Sequence, residues 1–397
     1  MNHPTKRHCM IVHAHYPLGE TRVQRQAEAL LDAGIEVDVI CLRHPEYETP
    51  QEVVNGATVY RVPAARERGD VGFGRQLLEY LRFFWLTMLT LMRLHRQKRY
   101  DVVQVHNLPD FLIFSAWYPK LTGAKLILDL HDLMPEFFAS RADKDLSHWL
   151  VRLVTLQEKI SCRFAHRVIT VTELWRQTLI GRGIPAEKVH VVMNVADDRM
   201  FYRTNNNHNG KPNGFHVFYH GAIVPRYGID LIIKAVAQAR EKIPDVCLTL
   251  HGDSGYRQTL EALAKELGVQ NSVNFSYKFL PMAKLPDLIR TADLAIVPYR
   301  RDIFTDGILP TKLMEYTALG VPVITVHTPA IDTYFDETMV EFFESENVDD
   351  LVQHLVALHQ NQSRLKSLVE NSDKFNQDYN WSKQKAGYVA LVRSLHG

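Results

Sequence analysis

The sequence predicts two α/β domains, each doubly wound around a parallel sheet, and three observations carry that prediction. Short β-branched runs alternate with helical patterns along the chain. The alternation restarts beyond a stretch rich in Asn, Gly and Pro. A length of 397 residues with 46% hydrophobic content is enough to bury two cores.

In the first half, CMIVHA is the opening strand, followed by a turn over 17–19 and a helix over 22–33. Gly34 closes that helix, because a glycine tolerates the positive φ of a helix end. EVDVICL, DVVQVHN, AKLILDLHD, RVITVT and VHVVMN are further strands, and a long helix over 77–98 lies among them. The segment TNNNHNGKPNG has no apolar periodicity and reads as a linker. The second half supplies FHVFYHG, VCLTLHG, SVNFSY and DLAIVPY as strands, separated by helices over 228–242, 257–267 and 285–292. The domains are therefore expected at 1–203 and 215–375, joined by a linker at 204–214. A last helix over 376–397 is expected to pack back on the first domain.

Charge and cysteine content exclude several classes. With 46 basic and 45 acidic residues, no global field favours nucleic acid. Cys9, Cys41, Cys162 and Cys247 lack the paired spacing of a zinc site and read as buried thiols in a reducing compartment. The longest apolar stretch, over 83–92, is far short of the roughly 20 residues that cross a membrane. A cytoplasmic protein is expected, with contact at the inner face of the membrane open.

Ligands of doubly wound sheets bind at the carboxyl ends of strands, so the residues that follow the strands are the candidates. LPTKLMEYTALG reads as a helix entered at Pro310 and ended at Gly320. The N–H groups near Leu309, Pro310 and Thr311, together with Lys312, suit a diphosphate. Glu315, on the same helical face as Lys312, offers two acceptor oxygens for the hydroxyls of a ribose. A surface ion pair is the other reading of Lys312 and Glu315. Gly221 and Arg226 follow the strand FHVFYH, where a guanidinium can fork onto phosphate oxygens. His131 emerges at the end of KLILDL, with Asp132 and Glu136 close behind it, and Gly19 marks the turn after the first strand.

These residues, with RVITVTELWRQTLIGRGIPAEKVHVVMNVAD and ADLAIVPY, resemble the family-4 retaining glycosyltransferases over nearly the whole chain. The resemblance implies a GT-B fold, in which two Rossmann-like domains face an interdomain cleft. It also implies a UDP- or GDP-sugar donor on the second domain, a glycan or lipid-linked acceptor on the first, and no metal or other cofactor. Arg226 and Lys312 match the groups that stabilise the leaving diphosphate, and His131 matches a group that positions the donor sugar or acceptor. Glu136 and Gly19 fall on the acceptor or sugar side. Two departures stand out. The first of the family's paired glutamates falls on Gly307, beside Asp306, which makes these two the expected neighbours of the donor sugar. Its usual Arg and Lys after the second-domain strand are Ala222 and Tyr227 here.

An epimerase or phosphorylase on the same plan, or a nucleotide-sugar-binding subunit without turnover, are the competing functions. The basic, apolar helix over 75–99 fits either a core helix or one lying on an anionic membrane.

Overall fold

The computed structural model describes residues 6–18, 20–43, 48–64, 72–204, 213–252, 255–277 and 280–396. Gly19 and most of the expected linker lie outside the described residues. The chain divides into two compact units, Met1–Asn194 with Gln384–Gly397, and Val195–Lys383.

The first unit is built on eight strands: β1 (Arg7–Ile11), β2 (Glu36–Leu42), β3 (Gln51–Val54), β4 (Ala57–Val62), β5 (Val102–His106), β6 (Lys125–Leu130), β7 (Arg167–Thr170) and β8 (Val189–Val191). They lie in the order β3-β4-β2-β1-β5-β6-β7-β8. All neighbours are parallel except β3 and β4. Cys9, Met10 and Ile11 of the central β1 have no exposed surface, as expected for a parallel sheet covered on both faces. The β3–β4 hairpin is absent from the sequence reading above. Its turn, Asn55-Gly56, has φ values of 49° and 88°, the positive pair that selects Asn-Gly.

The second unit holds β9 (His216–His220), β10 (Cys247–His251), β11 (Val273–Ser276), β12 (Leu294–Val297), β13 (Val323–Val326) and β14 (Glu341–Phe343). Their order is β11-β10-β9-β12-β13-β14, all parallel. The strand order reverses between β9 and β12, and a crevice opens at such a switch point, beyond the carboxyl ends of the strands.

The division at Asn194 and Val195 precedes the expected linker, because 195–204 is anchored within the second unit. Phe201 is buried, the Tyr202 carbonyl accepts from Arg290, and Arg203 bonds to the Val369 carbonyl and Asp373. At the other end, the helix Trp381–Arg393 carries the chain back into the first unit. There Tyr388 Oη donates to Gln104 Oε1 at 2.7 Å, and Lys385 pairs with Asp32.

The helix Phe73–Lys98 begins four residues ahead of its expected start. Phe83, Thr87 and Leu91, one turn apart, are buried on one face, while Leu78, Trp85 and Leu89 are exposed on another. It is therefore a core helix on one side only. Among the described residues, no helix is long and apolar enough to cross a membrane.

Candidate active site

In the second unit, the helix Thr311–Leu319 starts directly after Pro310, one residue later than the sequence suggested, and Gly320 ends it at φ 78°. Lys312 in its first turn is buried. Its Nζ donates to Tyr219 Oη at 3.0 Å, at the end of β9, and to Tyr299 Oη at 3.2 Å, just past β12. The ammonium therefore lies at the switch point. It also stands 4.5, 4.9 and 5.1 Å from the ring centroids of Tyr219, Tyr227 and Tyr299, each a cation–π contact. Tyr227 and Tyr299 stack at 4.4 Å. Gly221 has φ 104°, and a Cβ there would come within 3.3 Å of Lys312 Cε.

Glu315 sits one turn beyond Lys312. Its Oε2 lies 2.8 Å from His220 Nε2, while Tyr316 Oη lies 2.9 Å from both the backbone N and Nδ1 of His220. Because the Tyr316 oxygen accepts the backbone N–H, its own proton is directed at Nδ1, which leaves Nε2–H to donate to Glu315. The carboxylate is thus oriented by a histidine held from both sides.

Burial pushes the Lys312 ammonium down to about 7, with Glu315 pulling the other way. An arriving diphosphate favours the charged form, so binding above pH 7 is expected to draw in a proton. Calorimetry at pH 8 in two buffers of different ionisation enthalpy should show uptake approaching one proton per nucleotide. The Lys312→Met variant should show none.

The remaining second-unit candidates divide. Leu309, Pro310 and Gly307 are buried beside the helix start, and Thr311 is exposed. Both oxygens of Asp306, expected beside the sugar, are forked by the half-exposed Arg301 at 2.9 and 2.8 Å. The Arg226 guanidinium lies over the Phe304 ring, and its neighbour Tyr227 is the residue brought against Lys312.

In the first unit, His131 follows β6 and its Nε2 lies 3.2 Å from His106 Nδ1, which is also 3.3 Å from Asp129 Oδ2. Asp129 is fully buried and forked by Arg22 at 3.1 and 2.8 Å, with Gln26 donating at 2.9 Å and Gln104 at 3.2 Å. Burial favours its neutral form, but Arg22 and His106 outweigh that and hold the carboxyl well below its usual range. His106 Nδ1 thus stands within reach of both the ionised Asp129 and His131 Nε2. Burial pushes His131 down to about 3, which makes it a neutral hydrogen-bonding group at physiological pH. Its backbone N–H donates to Asn107 Oδ1 at 2.9 Å.

His106, Asp129 and His131 place ligand atoms within 4.8 Å of one another. They fit a dication poorly, because Arg22 already occupies both Asp129 oxygens and would put a buried guanidinium beside the metal.

Glu136 departs from its expected role at the sugar. Its carboxylate is bonded to Arg182, whose other nitrogen holds the buried Glu158 at 2.8 Å. The pair ties the helix Met134–Ala142 to the helices Trp149–Phe164 and Glu173–Gly181. This is a structural ion pair.

Comparison with known proteins decides the family. Residues 19–194 match the glycosyl transferase 4-like domain, and residues 200–375 match the glycosyl transferases group 1 family. The chain is a group 1 glycosyltransferase. A GDP-mannose-dependent alpha-(1-6)-phosphatidylinositol monomannoside mannosyltransferase of Mycolicibacterium smegmatis is 35% identical over 107 residues, 26% of this chain and 27% of that protein. A chitobiosyldiphosphodolichol beta-mannosyltransferase of Candida albicans is 24% identical over 58% of this chain and 54% of that protein. The chain thus spans roughly a quarter to a half of these relatives. The sucrose-phosphate synthase structure from Thermosynechococcus elongatus superposes with a TM-score of 0.80 at 18% identity, covering 98% of this chain and 99% of that one. The fold of this glycosyltransferase is GT-B.

For this glycosyltransferase, the sequence alone assigned no role to His220 or to the three tyrosines around Lys312, although Tyr227 stood out as a departure. Tyr219 and Tyr299 sit at strand ends where ligand groups were sought, so position was a usable signal for them. An aromatic residue in a strand is more often core, which hid them.

Proposed function

We propose that this protein is a retaining, metal-independent hexosyltransferase. It moves a sugar from a GDP or UDP donor to a glycan or lipid-linked acceptor in the synthesis of a surface polysaccharide or glycoconjugate. The observation that carries the reading is the buried Lys312 ammonium at the β9–β12 switch point, with the histidine-oriented Glu315 one turn along the same helix.

As the bond from the anomeric carbon to the phosphate oxygen lengthens, negative charge grows on the departing diphosphate. Lys312 and the first N–H groups of the Thr311–Leu319 helix are fixed positive groups for that charge. Glu315 accepts from the ribose hydroxyls and sets the depth of the nucleotide. The acceptor oxygen bonds to the anomeric carbon on the face that the phosphate leaves, and its proton passes to a phosphate oxygen. Configuration is therefore retained, and no protein nucleophile is consumed. His131, held neutral by burial, orients the donor sugar or acceptor.

Both curated relatives are named for lipid acceptors, which supports an acceptor of that kind and work at the inner face of a membrane. The test is transfer from labelled GDP-mannose and UDP-glucose to phosphatidylinositol mannoside and polyprenyl-diphosphate oligosaccharide acceptors, with EDTA present. Transfer in EDTA, giving a product with the donor's anomeric configuration by NMR, is expected. An inverted product or loss of activity in EDTA would contradict it, and an isomerised sugar nucleotide formed without acceptor would point to an epimerase.

A further inference from the structure

The first unit contains a pocket of about 420 Å³ that the reaction described above does not use. Its size lies in the roughly 300–1,000 Å³ range of small-molecule sites. It opens between the helices Phe73–Lys98, Met134–Ala142 and Trp149–Phe164. Tyr80, Phe111, Phe137, Phe138 and Val154 give it an apolar lining. Among the described residues, Arg141 is the one charged group that lines it, and its Nη1 donates to Gln76 Oε1 at 2.9 Å. A pocket with apolar walls and a single guanidinium suits an amphiphile with a hydrocarbon chain and an anionic head.

The surface around the mouth has the same character. Leu77 and Leu153 both line the pocket and are exposed, 38% and 54% respectively. From Leu77 an apolar ridge continues along its helix through Leu78, Leu81, Trp85 (57% exposed) and Leu89. From Leu153 a second runs through Leu156 and Ile160, with Trp149 (63% exposed) at its start. Side chains three and four residues apart share one helical face, so each ridge is a continuous stripe of about 16 Å. An exposed apolar surface of this extent marks a place where something binds.

Charge indicates what binds there. The helix Phe73–Lys98 carries five basic residues and one acidic residue; the helix Trp149–Phe164 carries three and one, and its acid, Glu158, is buried. Apolar stripes with tryptophan, edged by arginine and lysine, suit the boundary between anionic head groups and acyl chains.

We propose that this face lies on an anionic membrane and that the pocket takes up one hydrocarbon chain of the acceptor lipid, with Arg141 at its head group. The proposal deepens the reading of a lipid-linked acceptor and rests on it. The pocket then selects acceptors by their lipid portion, independently of the donor site in the second unit.

The test uses the full-length protein and two variants. Val154→Phe fills the pocket and leaves the outer surface unchanged. Leu156→Glu with Ile160→Glu puts charge on the exposed ridge outside the pocket lining, where it disturbs no core. Calorimetry with dodecyl phosphate below its micellar concentration should show binding, while inorganic phosphate and dodecyltrimethylammonium should show little. Val154→Phe should weaken dodecyl phosphate at least tenfold and still float with phosphatidylglycerol–phosphatidylcholine vesicles. The double variant should lose flotation, and pure phosphatidylcholine vesicles should bind the wild type poorly.

Stabilisation by GDP or UDP, read in the same samples, should be unchanged in both variants. If lipid binding fails while that stabilisation persists, the proposal falls and the donor reading stands; if neither nucleotide stabilises the wild type, the donor reading itself fails. Equal dodecyl phosphate binding by Val154→Phe would also overturn the proposal. So would concentration-dependent dimerisation that the double variant abolishes, since a second copy would then cover the ridge.

Discussion

Replacing Lys312 by methionine is expected to lower kcat for sugar transfer by about 10²–10³-fold, the usual consequence of removing one preorganised donor from a developing oxyanion. The ammonium is buried against three tyrosine rings and placed by two hydroxyls, so it needs no reorganisation when charge appears on the diphosphate. Methionine keeps the unbranched chain and removes only the charge and the donors. Folding should survive, because burial already disfavours the lysine cation in the empty site and Glu315 keeps its bond to His220. Steady-state kinetics beside a thermal melt would separate the two effects. A fall in kcat of less than fivefold, with an unchanged melting temperature, would remove Lys312 from the leaving-group role. Arginine is not a conservative replacement, because a planar fork does not fit a cage built for a compact ammonium.

The second large effect concerns stability of the first unit. Arg22→Ala leaves Asp129 buried with its main counter-charge gone, and breaking one side of a buried pair costs about 3–5 kcal/mol. For a unit of roughly 200 residues this is a fall in melting temperature of about 6–20 °C. The sign with pH follows from the depressed carboxyl of Asp129. Its stabilisation is present above the ordinary carboxylate pKa and is lost as pH falls through the lowered one, so the wild type loses its advantage over the variant in acid. Arg22→Met combined with Asp129→Leu should recover part of the loss, because no buried charge is then stranded. Melts of the wild type and the two variants at pH 7 and through the range below about pH 4 would check both statements. Arg22→Ala melting within 2 °C of wild type at pH 7 would show that Asp129 is not held as described.

The pair also lies behind His131. Arg22 keeps Asp129 ionised, and Asp129 faces the same His106 Nδ1 that contacts His131. His131 was readable from sequence because it directly follows a strand. The groups behind it were not, since Arg22, Gln104, His106 and Asp129 are each a single polar residue within an ordinary helix or strand pattern. Tyr388 joins them from the far end of the chain. Only the parallel registry of β5 and β6, which pairs His106 with Asp129, brings two of them together.

The same limit applies in the second unit. Hydrophobic runs and punctuating glycines identified most strands of both sheets, and Pro310 and Gly320 bounded the helix that carries Lys312 and Glu315 on one face. Periodicity says nothing about which distant side chain fills the space next to them. His220 orients Glu315 across 95 residues of sequence, and Arg301 takes up Asp306 through a loop whose turn depends on Asp302 and Thr305. The Asn55-Gly56 hairpin is different: its signal was present in VVNGATV and short enough to be passed over.

The central claim is that the second unit binds a nucleoside diphosphate sugar through Lys312 and Glu315. The most direct measurement is the melting temperature of wild type and Glu315→Ala across a panel of GDP, UDP and ADP sugars. One nucleotide at 100 times its dissociation constant should stabilise the wild type by about 2.7 kcal/mol. Glu315→Ala should show no shift with that nucleotide at the same concentration. A shift of equal size in the variant, or none with any nucleotide in the wild type, would contradict the account.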